Sequence, residues 1–201
     1  MDSTPTLSRF DDAYKTGSAP WVIGEPQPAI VELQRAGRIH SKVLDVGCGT
    51  GEHTILLTRL GYDVLGIDFA PHAIEQARAN AAEKGVDARF EVADAMNLGD
   101  EPGYQTIVDS ALFHTFDDDE RLRYVASLAS VTEHGGTVYV LCFSDDGPDT
   151  GPHPITQEEL RAAFNPSTGW NVIAIGSDRV QTRFHDDSAP AALPPGPRPS
   201  E

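Results

Sequence analysis

Basic residues are scarce: 15 lysines and arginines stand against 31 aspartates and glutamates, leaving a formal charge of −16 over 201 residues. A surface of that sign repels phosphate backbones and anionic headgroups, so neither nucleic acid nor a membrane is expected as a partner. Cysteine is scarce too. Cys48 and Cys142 both fall in apolar, strand-like runs and form no CxxC pair, which reads as two buried thiols. No histidine pair has metal-ligand spacing and no acidic cluster suggests Mg²⁺, so no metal is expected. No apolar run approaches membrane-spanning length, and MDSTPTLSRFDD lacks the basic lead and apolar core of a secretory leader. These absences predict a cytoplasmic protein, and the length suits one domain rather than two.

What is present is an alternation. Apolar, β-branched runs recur at KVLDVGC, YDVLGIDF, ARFEVADA, YQTIVDSALF and GTVYVLCFS, each the length of a buried strand. Between them lie helical patterns: EHTILLTRLG closed by Gly61, PHAIEQARANAAEKG opened by Pro71, and DDDERLRYVASLASVTEHGG with acids in its first turn. PAIVELQRAG precedes the first strand as a helix with Pro28 in its first turn. The pattern predicts an α/β fold, a doubly wound and mostly parallel sheet with helices on both faces. After the fifth strand, TQEELRAAF predicts a short helix, and NVIAIGSDRVQTRF a sixth strand or a hairpin turning at GSDR. Proline-rich residues 186–201 should be disordered. The expected division is a cover segment over 1–37, a ligand-binding domain over 38–185 and a tail over 186–201.

The run LDVGCGTGEHT, Leu44 to Thr54, joins the first strand to its helix. It has no GxxxxGK[ST], so it is not a nucleotide-hydrolysing phosphate loop. A dinucleotide loop, GxGxxG, would need its third glycine where Glu52 stands, and that carboxylate would crowd the helix end a pyrophosphate must approach. What remains is Asp45-x-Gly47-x-Gly49-x-Gly51, with Asp68 and Asp94 ending the next two strands. Ligands bind at that edge of an open α/β sheet.

This constellation resembles the first motif of class I S-adenosylmethionine (SAM)-dependent methyltransferases. The resemblance implies SAM as cofactor and S-adenosylhomocysteine (SAH) as product. Bare glycines would let the methionine moiety lie against the loop, and Asp45 would orient the loop or, through water, the ammonium. Asp68, with Phe69 beside it, would take the ribose hydroxyls. Asp94 would take the adenine amino group, with Ala95 and Met96 covering the ring, and Asp109 would border the cofactor after the fourth strand. The likeness runs from about Tyr14 to Phe184, and APWVIGEPQPAI, DSALFHTF and GGTVYVLCFSD narrow it. They resemble the mycobacterial heterocyclic-toxin methyltransferases, with thiopurine and thiol methyltransferases more distant. The implied reaction is methylation of an O, N or S atom of a small heterocyclic or phenolic acceptor. The alternative is a SAM-binding regulatory or partner protein without catalysis.

The N-terminal segment should then fold over SAM, with Tyr14 and Trp21 as aromatics facing the sulfonium. Gln27 either reaches the methionine carboxylate or is an exposed helix-start residue. His114, in LFHTF, is the candidate catalytic residue, as a general base or as a wall of the pocket. Phe113 and His153 would line the acceptor site, and His53 lies near SAM. The family sheet ends with an antiparallel strand; here VQTRF is that strand or it is missing. A monomer and a homodimer fit equally.

Overall fold

The structure, a computed structural model, describes residues 7–145 and 154–183. Five strands form one sheet in the order β3-β2-β1-β4-β5: β1 (Val43–Val46), β2 (Val64–Asp68), β3 (Arg89–Val92), β4 (Tyr104–Ser110) and β5 (Thr132–Leu141). All pairings are parallel, so every strand delivers its C-terminal end to the same edge. The order reverses at β1, which opens the crevice between β1 and β4 where such sheets bind ligands.

Six helices connect or flank the strands: α1 (Leu7–Thr16), α2 (Pro28–Arg35), α3 (Glu52–Arg59), α4 (Pro71–Glu83), α5 (Asp118–Val131) and α6 (Gln157–Ala163). Side chains along a strand alternate between the two faces, and the two cores follow that parity. Leu44, Val46, Ile67 and Ile107 pack on one face against Tyr124, Val125, Leu128 and Phe164 of the α5–α6 side. Val43, Val64 and Val108 pack on the other against Ile30 of α2 and Leu57 of α3. Ile55 of α3 and Ile74, Ala77 and Ala81 of α4 close over Phe90. No helix among the described residues is long and apolar enough to cross a membrane.

Two expectations need correction. The fifth helix stops at Val131, and the TEHGG that the sequence pattern extends it through, from Thr132, belongs to β5 instead. Between the pairs Tyr104–Thr132 and Thr106–Thr137 the register shifts, and Glu133–Gly136 bulge out of the ladder. Gly136 permits this, because a Cβ there would lie 3.1 Å from the Tyr104 carbonyl oxygen. Second, no strand follows β5 among the described residues; NVIAIGSDRVQTR runs as an irregular strap. Its hydrogen bonds go to the N-terminal segment rather than to a sheet edge. The expected tail over 186–201 lies outside the described residues.

Candidate functional site

The glycine loop leaves β1 with three left-handed residues, Gly47 (φ +68°), Gly49 (φ +54°) and Gly51 (φ +88°), a conformation that side chains with a Cβ resist. Each glycine also admits a neighbour. A Cβ on Gly47 would lie 3.0 Å from Leu112, on Gly49 2.9 Å from the Tyr14 hydroxyl oxygen, and on Gly51 2.8 Å from the Phe90 ring. Gly51 thus lets β3 and α4 pack against the start of α3, while Gly49 admits the cover. Glu52 opens α3, where the helix dipole favours a carboxylate, and accepts a hydrogen bond from Thr50 Oγ1 at 2.8 Å.

Parity aims the carboxylates. Asp45 shares the face of Val43, so it points at α3, where its Oδ2 accepts from Thr54 N (3.1 Å) and Thr54 Oγ1 (2.6 Å). It therefore locks α3 to β1. Asp68 ends β2; its Oδ2 accepts from Gly49 N (3.0 Å) and its Oδ1 from Ala70 N (2.9 Å). Burial pushes both carboxyls up to about 6, against the hydrogen bonds that favour the charged form. A carboxylate oxygen accepts more than one hydrogen bond, so Asp68 retains capacity for ligand hydroxyls. Asp94 is exposed beyond β3; its Oδ1 accepts from Met96 N at 2.9 Å, a turn that sets half-buried Ala95 and Met96 at the edge.

The N-terminal segment closes over this half. Tyr14 is buried with Ala19, Ala70 and Ala73, and half-buried Phe69 and Trp21 pack on them. Trp21 Nε1 donates to the Tyr14 hydroxyl at 2.8 Å, and Phe10 meets Trp21 edge-on at 5.6 Å between centroids. Sequence reasoning missed Phe10, which carries no motif. Helix α1 is held on α4 by the Asp11–His72 pair (2.7 Å) and by Gln76 Nε2 donating to the Tyr14 carbonyl (2.8 Å). Gln27 is neither exposed nor free to reach a carboxylate. It is buried, with its amide spent on the backbone of Gln181. Its own N–H donates to His53 Nε2 at 3.1 Å, and His53 Nδ1 lies 3.9 Å from Asp45 Oδ1. Burial lowers His53 to about 4, so its ring is neutral and bridges cover and loop.

Beyond β4 the chain turns through Ala111, whose φ of +71° is costly for a residue with a Cβ. The turn lays Leu112 on Gly47 and leads into a single 3-10 turn, Phe113–Thr115. Two expectations fail here. Asp109 lies on the face of Ile107, toward α5, not toward the ligand edge. It is fully buried, and its Oδ1 accepts from Leu112 N (3.0 Å) and Phe113 N (3.3 Å), its Oδ2 from Tyr124 Oη (2.7 Å). Phe113 is no pocket wall either. It is fully buried in the α5–α6 core, between Tyr124 and Phe164. His153 lies outside the described residues.

His114 is 3% exposed, with its ring 4.6 Å from that of Phe143. Its Nδ1 accepts the Phe143 N–H at 3.2 Å. A backbone N–H can only donate, so the neutral ring keeps its proton on Nε2. Burial, and then the Arg121 charge, push His114 down to about 4, so it is neutral at physiological pH. In this arrangement the imidazole offers a hydrogen-bond donor.

The edge suits SAM chemically. Glycines without Cβ atoms floor it, Asp68 and Asp94 supply acceptors for hydroxyls and an amino group, and an aromatic cluster stands where a sulfonium would gain from a π face.

Comparison with known proteins agrees. Residues 43–136 match a family described as methyltransferase domain. Over 178 residues the chain is 39% identical to 2-heptyl-1-hydroxyquinolin-4(1H)-one methyltransferase of Mycobacteroides abscessus, covering 85% of this chain and 78% of the relative. It is 24% identical to a probable thiol methyltransferase of Arabidopsis thaliana, covering 83% of this chain and 75% of that one. A solved structure from work on the conversion of a disulfide bond into a thioacetal group during echinomycin biosynthesis superposes with a TM-score of 0.80 at 36% identity, covering 87% of this chain and 83% of that one. In fold alone, the chain resembles the SAM-bound magnesium protoporphyrin IX methyltransferase of Synechocystis (TM-score 0.61, 20% identity, 90% and 81% covered).

Proposed function

The chain belongs to the class I SAM-dependent methyltransferases, and we propose that it methylates an O, N or S atom of a small heterocyclic or phenolic molecule. The observation that carries this reading is the aromatic cover. Phe10, Tyr14 and Trp21 form one aromatic cluster, and it closes on the glycine loop where the Tyr14 hydroxyl meets Gly49. A planar small molecule suits an aromatic cover, and the net charge of −16 disfavours a nucleic acid. The 39% identical relative, named for a hydroxyquinolone, supports the acceptor class.

Bound SAM supplies a methyl group already activated on a sulfonium. The protein's task is then alignment more than activation, and alignment can supply roughly 7–11 kcal/mol of a barrier. In this reading Gly47, Gly49 and Gly51 seat the methionine moiety, Asp68 the ribose and Asp94 the adenine amino group, with Phe69, Ala95 and Met96 beside them. Asp45 acts through Thr54, fixing the helix that follows the loop. Tyr14 and Trp21 flank the sulfonium. His114 directs its Nε2–H at the acceptor heteroatom and orients it; an acidic hydroxyl or thiol gives its proton to solvent before transfer.

The test is turnover of SAM with a panel of hydroxyquinolones, phenols, N-heterocycles and thiols, read by mass as one added methyl and by SAH formed. Methylation within the hydroxyquinolone or phenol classes is expected. Failure of every class, while SAM still binds, would sink the acceptor reading.

A further inference from the structure

The cover is attached at both ends, and the second attachment has no counterpart in the motifs. Helix α1 sits on α4 through Asp11, His72 and Gln76. The segment after it, Gly17 to Gln27, has no regular secondary structure of its own. A cavity of about 60 Å³ remains beneath it, bounded by Tyr14, Ala19, Val22, Gln76 and Arg183, so packing alone does not seat it. It is tied instead by the strap. Gln27 Nε2 donates to the Gln181 carbonyl and Gln181 N donates to Gln27 Oε1, both at 2.8 Å. The side-chain amide thus pairs with a peptide as another peptide would. Two residues on, Arg183 N donates to the Pro20 carbonyl at 2.6 Å and its guanidinium to the Ile23 carbonyl at 3.3 Å, gripping the turn that carries Trp21. From the same Gln27, the backbone N–H continues through His53 to Asp45 under the glycine loop.

We propose that the Gln27–Gln181 clasp holds the cover closed over SAM, making Gln27 a positioning residue for the cofactor. The proposal rests on SAM lying between cover and glycine loop. Gln27 touches no ligand in this role; it sets where Trp21 and Tyr14 stand. Because the clasp uses the backbone of Gln181, its effect depends on the peptide there and not on a charge.

Two variants remove the same contact from opposite sides. Gln27→Met keeps side-chain volume and loses both hydrogen bonds; Gln181→Pro loses the N–H that Gln27 accepts. Each should weaken SAH binding about tenfold by calorimetry, the scale of one or two hydrogen bonds. The double variant should be little worse than the weaker single one, because both act on one contact. Acrylamide quenching of Trp21, read in a Trp170→Phe background, should rise in each variant, while the quenching of Trp170, read in a Trp21→Phe background, stays unchanged. Unaltered SAH affinity in Gln27→Met, additive losses in the double variant, or equal exposure of both tryptophans would each overturn the clasp. A wild-type protein that binds neither SAM nor SAH would instead overturn the cofactor placement, and the clasp with it.

Discussion

The two halves of the ligand edge are built differently. Above β1 and β2 the connections are short, and the backbone is set by residue type. Glycines take the left-handed turns, and carboxylates at strand ends collect backbone N–H groups, as Asp68 does from Gly49 and Ala70. Above β4 and β5 the connections are longer and set by packing. Ala111 is held left-handed, Phe113 is drawn into the α5–α6 core, and His114 is fixed by a peptide N–H and the ring of Phe143. On the proposed reading the first half seats the cofactor and should tolerate little change. The second can exchange side chains on a constant scaffold, which is how one donor serves many acceptors.

Substitutions in each half should break that comparison unequally. The largest effect belongs to Gly49→Val, which forces a β-branched residue into φ +54° and a side chain into Tyr14. Loss of SAH affinity should reach about a hundredfold, since left-handed strain costs about 1–2 kcal/mol before any clash with the cover. A loss under threefold by calorimetry would mean that the loop does not seat the cofactor.

His114→Ala should act less, and on the other half. A positioned base contributes about 10²–10⁴-fold, so a fall in kcat below about tenfold, with SAH affinity unchanged, is expected of a ring that only orients the acceptor. The wild-type rate should show no inflection between pH 5 and 8 from this ring, which burial holds near 4. A hundredfold fall in kcat would restore the general base.

The smallest effect is on stability. Burial raises Asp109 to about 6, so its contribution is fully present below the unfolded-state value near 4 and is lost as pH rises through 6. Asn at this position can still accept from Leu112 and Phe113 and can donate to Tyr124 Oη, without titrating. Asp109→Asn should therefore gain on the wild type by a few degrees of Tm between pH 4 and 7. The buried histidines titrate in both proteins and cancel from the difference. A constant gap across that range would mean that Asp109 titrates alike in the folded and unfolded chain.

The same contrast explains what could be read in advance. The five strands and the order of helices follow from apolar runs and capping residues, and the left-handed loop from glycine spacing, with Asp68 at the end of β2 bonded to it. Asp109 too is an acid at a strand end, and its sequence position alone puts it at the ligand edge. Its direction depends on sharing a face with Ile107 and on Tyr124, which stands a helix away. Phe113 went wrong for the related reason that a 3-10 turn, absent from any periodicity, rotates it inward. The apolar run of NVIAIGSDRVQTRF suits a sixth strand or a hairpin at GSDR, but the partners of this strap are a glutamine side chain and two carbonyls in the first 27 residues. No local pattern encodes partners so remote.

That remoteness has a temporal side. Gln27 and Gln181 are 154 positions apart, so their pairing closes a long loop. During synthesis the glycine loop, β1 to β3 and α1 all emerge well before the strap. A nascent chain therefore carries the glycine loop with its cover still untied, and the Gln27 amide finds its partners only when the peptide at 181 arrives. If the clasp acts as proposed, tight cofactor binding reports that the strap has reached its place, and the methyl donor favours the domain with both of its ends folded.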